Sequence, residues 1–197
     1  MSEKSTENQV EIPSLEQLEA EYKNEQRKIR FGQVLRSTLF SLVVVAAVVV
    51  LITILFLPVL QIAGSSMTDT LHEGDVVLAL SGAEYETGDI VAFYYNNNIL
   101  VKRVIANSGE WVDIDADGNV FVNGEELDEP YLSEKALGDC NIQLPYQVPE
   151  DKIFVMGDHR ATSIDSRNTS VGSISKELTI GRLVFRVWPL KAIGRVK

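Results

Sequence analysis

Two residues of this chain, Ser66 and Lys102, have the types and settings from which a hydrolytic pair can be built. Ser66 lies in Gly64-Ser65-Ser66-Met67, and Lys102 lies inside an apolar run at residues 99–106. A serine hydroxyl is a weak nucleophile until a base takes its proton, and a serine close after glycine is more often a turn residue. Ser66 therefore gains meaning only if a base exists. Side chains alternate along a strand, so Leu100, Lys102 and Val104 share one face of residues 99–106 while Val101, Arg103 and Ile105 share the other. Both faces are apolar, which is an odd place for an ammonium. The plain alternative is a lysine that snorkels from a strand end. A desolvated lysine instead has a lowered pKa, and a fall from about 10.4 to roughly 7–8 leaves a usable neutral fraction at physiological pH. Lys102 then accepts the Ser66 proton. Arg103 cannot do so, because guanidinium stays protonated.

A third segment, Gly157-Asp158-His159-Arg160-Ala161-Thr162-Ser163-Ile164-Asp165-Ser166-Arg167, packs acids, bases and hydroxyls into one stretch after an apolar run. As a bare loop it is a solvated turn. Beside a buried lysine it supplies the groups that orient a base.

These segments need elements to hold them. Residues 37–57 are apolar all round, and 21 residues make about 31 Å of helix, enough to cross a hydrocarbon core. No polar stripe marks them as a buried core helix. Lys23, Arg27, Lys28, Arg30 and Arg36 precede them, which predicts a cytoplasmic N-terminus by the positive-inside rule. The run is long and late for a cleaved signal peptide, so a permanent anchor is expected. Residues 1–13 are polar and read as disordered. Ser14 is a candidate cap for a helix that carries Leu15, Leu18 and Tyr22. Beyond the anchor, short apolar runs alternate with turn signals, which predicts strands at 76–80, 90–95, 99–106, 111–114, 120–123, 153–156, 183–187 and 192–196. Residues 133–150 read as a long loop. The expected organisation is a cytoplasmic tail (1–36), a transmembrane anchor (37–57) and an extracytoplasmic, mostly antiparallel β catalytic domain (58–197).

Composition removes several classes of function. Net charge is −10, and nucleic-acid binding needs a basic surface. Cys140 is the only cysteine, so neither an intrachain disulfide nor a multi-cysteine zinc site can form. No metal or cofactor is expected. Asp113-Ile-Asp115-Ala-Asp117-Gly118 matches half of an EF-hand loop, but its twelfth position is Gly124 where calcium needs a glutamate. A hairpin turn is the better reading.

Together the segments resemble type I signal peptidases, the serine/lysine enzymes that remove signal peptides. The resemblance runs in the family's order through Gly64 to Leu71 with Gly74-Asp75, Gly88 to Phe93, Val101-Lys102-Arg103-Val104-Ile105 and Gly157 to Arg167, after one membrane span. It implies Ser66 as nucleophile, Lys102 as general base and Met67 in the substrate-facing wall. It also implies that Ser163 hydrogen-bonds the lysine amine, that Asp165 and Arg167 hold the loop, and that Asp158 pairs with Arg103. The implied fold is an antiparallel β domain with an apolar surface near the membrane. The implied partners are signal peptides of preproteins with small residues before the cut, and the lipid bilayer, with the translocation machinery a further candidate. The chain departs from many members at Asp69, His159 and Ala161-Thr162. Gly64 stands where some members place an oxyanion hydroxyl, so that donor must come from main chain, with the Ser66 N–H one candidate. Ser65 is adjacent, and only the Ser-Met pattern favours Ser66. Three rivals are weaker: a base made by His72 or His159, where His72 reads better as a turn residue; a self-cleaving serine/lysine protein, a kind that lacks a membrane span and so does not fit; and a membrane-tethered β module that binds peptides without cutting them, against which the apolar faces around Lys102 argue.

Overall fold

The computed structural model describes residues 14–68 and 70–196. The polar stretch 1–13 and the departure at Asp69 lie outside the described residues. By internal contacts the chain divides into two units, one ending at Leu51 and the other beginning at Ile52.

Helix α1 (Leu15–Phe56) runs unbroken for 42 residues, about 63 Å at 1.5 Å per residue. It begins at a reciprocal cap: Ser14 N–H donates to Gln17 Oε1 at 3.0 Å, and Gln17 N–H donates to Ser14 Oγ at 3.4 Å. It ends just before Leu57-Pro58, because a residue that precedes proline is pushed out of the helical region. None of its residues is buried in protein. It is long and apolar enough to cross a membrane. The capped segment and the expected span are thus one helix.

The second unit is built of antiparallel sheets. Among the described residues the strands are β1 (Val59–Gln61), β2 (Val76–Leu80), β3 (Ile90–Tyr95), β4 (Asn98–Ala106), β5 (Trp111–Ile114), β6 (Val120–Val122), β7 (Glu125–Glu126), β8 (Tyr146–Gln147), β9 (Lys152–Met156), β10 (Ile174–Ser175), β11 (Thr179–Trp188) and β12 (Gly194–Arg195). The larger sheet has the order β1-β2-β11-β3-β4-β9-β10, with β12 pairing on β11; the smaller has the order β7-β6-β5-β8. β4 and β9 are neighbours although the whole smaller sheet lies between them in sequence.

Three buried apolar clusters fix the frame. Met67 and Leu71 sink into a group with Ile62, Val77, Ile90 and Leu183, which seats the chain on both sides of Ser66. Val91, Phe93, Val104 and Ile153 pack on β3, β4 and β9. Ile105, Val112, Phe154 and Met156 join the two sheets. Burial of each such side chain is worth roughly 1.5–3 kcal/mol. Residues 102–106 are all buried, because the opposite faces of β4 belong to different clusters.

The expected strands at 76–80, 90–95 and 111–114 match the observed ones. That at 192–196 does not. Past Pro189, which has no N–H for a ladder, the chain makes a short 3-10 turn (Leu190–Ala192) and pairs only through β12. β1, β7, β8 and β10 were not expected, because each has only two or three residues and none stands out as an apolar run bounded by turn signals. The half EF-hand is a hairpin turn: Asp115 accepts from the main-chain N–H of Asp117 and of Asn119, each at 2.9 Å.

Phe154 is fully buried and its ring meets Tyr146 at 5.7 Å between centroids, so it ties β9 to the smaller sheet. Phe154→Ala is expected to cost about 3–5 kcal/mol of stability, read as a lower urea midpoint in detergent. An unchanged midpoint would show that the joint carries no load.

Candidate active site

Ladder geometry places the lysine. On β4, Lys102 stands opposite Val91 of β3, and Arg103 stands opposite Met156, the last residue of β9. The chain therefore leaves β9 beside the lysine and carries residues 157–167 back to it. Lys102 is 3% exposed, and its Nζ lies 2.6 Å from Ser66 Oγ. Ser65 is exposed, and its carbonyl accepts from the Thr68 N–H and hydroxyl instead. Of the two adjacent serines, Ser66 is the one that meets the amine. Gly64 has φ +85°, a conformation that strains any residue with a side chain.

The electrostatics suit a base. Burial is the main cause that lowers the Lys102 pKa from 10.5 to about 8. Asp165 opposes it, Arg167 adds to it, and Asp158 opposes it. Each of those carboxylates is itself held by a guanidinium. Asp165 receives Arg167 Nε at 2.9 Å, Arg167 Nη2 at 2.9 Å and the Gly157 N–H at 2.9 Å. Burial disfavours the Asp165 charge, but these bonds outweigh it and hold the carboxyl below its ordinary range. Asp158 receives Arg103 Nε at 2.9 Å and Nη2 at 2.7 Å, together with the Thr70 hydroxyl.

Main-chain bonds stitch the loop to its neighbours. Ser166 exchanges two bonds with Val155 of β9, and the His159 N–H donates to the Ser66 carbonyl at 3.0 Å. Gly157 is wedged: a Cβ there would fall 2.2 Å from Ser163 Oγ and 2.6 Å from the Ser66 carbonyl oxygen.

One expectation is corrected. Ser163 Oγ is buried with no hydrogen-bond partner among the described residues, so it does not bond the Lys102 amine. Its side chain fills the space beside the Gly157 Cα, and the amine bonds Ser66 instead. The Ser163 hydroxyl contributes to the polar surroundings of Asp165 without meeting hydrogen-bond geometry. Met67 is buried and also lines a cleft of about 200 Å³ that reaches Ser66, with Leu60, Ile62, Gly64, Ile99 and Val101.

Neither histidine ring is hydrogen-bonded to Ser66 Oγ among the described residues. His72 is an exposed turn residue whose N–H donates to Asp75 Oδ2. The His159 ring meets Thr162 Oγ1. Among the described residues no group of three or more His, Cys, Asp or Glu is arranged to hold a metal.

Sequence reasoning missed Glu129 and Tyr131, and gave Thr70 no role although it lies in the Gly64 to Leu71 motif. Arg160 was visible in the motif, but its partner Glu129 is 31 positions away in an irregular stretch that offers no periodic signal.

The chain has known relatives. A family model described as signal peptidase, peptidase S26, matches residues 35–188. Signal peptidase I of Bacillus licheniformis is 36% identical over 171 residues, which span 78% of this chain and 89% of that protein. Thylakoidal processing peptidase 1, chloroplastic, of Arabidopsis thaliana is 34% identical over 146 residues, 66% of this chain and 41% of that longer protein. A crystal structure of a signal peptidase I from Enterococcus faecalis V583 has 28% identity and a TM-score of 0.43, covering 51% of this chain and 97% of that one.

The geometry predicts how Ser66 reacts. With Lys102 as the base, the rate of Ser66 acylation by an activated ester is expected to rise with pH through about 8 and then level. Lys102→Met should abolish the dependence, as measured by mass spectrometry of the Ser66 adduct. Stability shares the sign. The folded value lies below the unfolded 10.5, so the protonated lysine destabilises the fold below about pH 8, and that cost fades as pH rises toward 10.5.

Proposed function

The chain belongs to the signal peptidase S26 family, and on that ground we propose that it is a membrane-bound serine endopeptidase that removes N-terminal signal peptides through Ser66 and Lys102. Relatives named signal peptidase I support signal-peptide cleavage. The observation that carries the residue assignment is the 2.6 Å approach of a buried lysine amine, its pKa lowered to about 8, to the Ser66 hydroxyl.

Five basic residues between Lys23 and Arg36 precede the apolar run, so the helix enters from the cytoplasm and residues 58–197 lie outside. A signal peptide occupies the same bilayer. Its cleavage region emerges extended and pairs by main chain with the strands that border the cleft. The cleft walls are mostly apolar and the cleft volume is about 200 Å³, which suits small uncharged side chains before the cut. Confinement of enzyme and substrate to one plane raises their effective concentration.

The reaction then follows from the pair. Ser66 Oγ attacks the scissile carbonyl while Lys102 Nζ takes its proton. The oxyanion forms facing main-chain donors, of which the Ser66 N–H is one. The Lys102 ammonium gives its proton to the departing amine, and the C–N bond breaks to leave a Ser66 ester. A water then loses a proton to Lys102 and attacks that ester. Lys102 returns the proton to Ser66 Oγ as the signal-peptide carboxylate leaves. Asp158 and Asp165, each tied to an arginine, hold the loop without drawing the proton permanently onto the lysine.

Cleavage of a signal-bearing preprotein by the detergent-solubilised chain tests the reading. Ser66→Ala and Lys102→Arg should each lose at least roughly 10³-fold in kcat, since a paired nucleophile and base act as a unit. His72→Ala and His159→Ala should retain substantial activity. Equal cleavage by Lys102→Arg would sink the lysine assignment and move attention to His159.

A further inference from the structure

Away from Ser66 and Lys102, the buried arginines converge on one stretch of chain that leaves the smaller sheet after β7. Glu129 receives both terminal nitrogens of Arg160, with side chains 0% and 1% exposed. Arg160 Nε donates to the Gly157 carbonyl at 3.2 Å. The Tyr131 hydroxyl donates to Glu129 Oε1 at 2.8 Å, and its ring lies 3.7 Å from Arg103 Cζ. Arg103 is the residue that grips Asp158. One carboxylate and one ring thus bear on both guanidiniums that flank Gly157-Asp158, and the next residue, His159, holds the Ser66 carbonyl.

The contact continues downstream. Arg167 Nη1 donates to the carbonyls of Ala136 and Leu137, while the Asn141 and Ile142 N–H groups donate to the Arg167 carbonyl. Gly138 packs so tightly that a Cβ there would lie 2.4 Å from the Arg160 carbonyl oxygen.

We propose that Glu129 and Tyr131 are positioning residues: a clamp, carried by the connection from the smaller sheet, that holds residues 157–167 against the Ser66–Lys102 pair. The inference rests on the hydrolytic function proposed above. Glu129 acts through Arg160 and Gly157, and Tyr131 acts through Arg103 and Asp158. Burial first, then the nearby Glu129 carboxylate, raise the Tyr131 pKa, so the phenol stays a hydrogen-bond donor. A loop released by loss of the clamp admits water to the amine, and desolvation is what lowers the lysine's pKa. The charged groups that face that amine, Asp165, Arg167 and Asp158, remain present in every clamp variant.

The test uses the full chain in detergent micelles with Glu129→Gln, Tyr131→Leu and Tyr131→Phe. Three quantities are read: thermal midpoint, amide exchange across residues 157–168, and the pH profile of kcat and KM on a signal-bearing preprotein. Glu129→Gln and Tyr131→Leu should lower kcat by roughly 10- to 100-fold with KM little changed, as misplacement from a distance does. Their exchange at 157–168 should quicken, and the acidic limb of kcat should move to higher pH. Tyr131→Phe keeps the ring over Arg103 and should restore most of kcat. A purely structural role would lower the thermal midpoint and leave the limb in place. If Glu129→Gln does not fold, the two Tyr131 variants decide the matter. A cleaving wild type beside folded variants with unchanged exchange and an unshifted limb overturns the clamp alone. A wild type that leaves the preprotein intact overturns the hydrolytic reading and the clamp with it.

Discussion

The whole site is arranged around one buried amine, whose charge burial disfavours, in the company of two carboxylates. Lys102 is taken out of water, which favours its neutral form, yet Asp165 and Asp158 are near enough to pull the proton back. The fold answers by giving each acid its own guanidinium. Arg167 occupies both oxygens of Asp165, and Arg103 occupies both oxygens of Asp158. Arginine suits this role better than lysine, because it stays charged and its planar fork matches a carboxylate at both oxygens. Buried ion pairs of this kind are weak contributors to net stability. Their use here lies in what they deny the lysine: an unshared negative charge.

The sheet supplies the precision that such a balance needs. Lys102 and the start of the loop hang from neighbouring strands, so their separation is set by ladder spacing rather than by loop flexibility. Ser66 arrives from elsewhere in the chain. It is seated by Met67 and Leu71 below and by the His159 N–H on its own carbonyl. Gly157 completes the junction, since its missing side chain is what lets Ser163 and the Ser66 main chain approach together.

Much of this was legible in the sequence, for physical reasons that differ from residue to residue. The long helix announces itself because residues 37–57 are apolar all round, with no polar stripe. Lys102 was conspicuous because a charge breaks an otherwise two-sided apolar alternation. The strands β2, β3 and β5 stand out as mostly apolar runs bounded by turn signals. Two-residue strands make no such run. Glu129 and Tyr131 were invisible for another reason: their meaning comes from partners reached only after the chain has folded, and an acid and an aromatic in an irregular stretch look like any solvated loop. The Ser163 bond illustrates the converse. Its residue type fitted the expected role, but the space beside Gly157 fixes where its hydroxyl points.

The placement of the smaller sheet bears on how such a chain can change length. Because β4 and β9 are paired directly, everything from residue 107 to 151 is an excursion whose two ends meet. An excursion of that kind can gain or lose residues without moving Lys102 or Asp158, provided the change falls where nothing returns to the site. The turn at Asn123-Gly124 is such a place: a side chain added at Gly124 would meet nothing within 4 Å. Residues 129–142 are not, since they come back to grip the loop. Added or removed residues are therefore accommodated at the Asn123-Gly124 hairpin more readily than in residues 129–142, whose length is tied to the loop they bond.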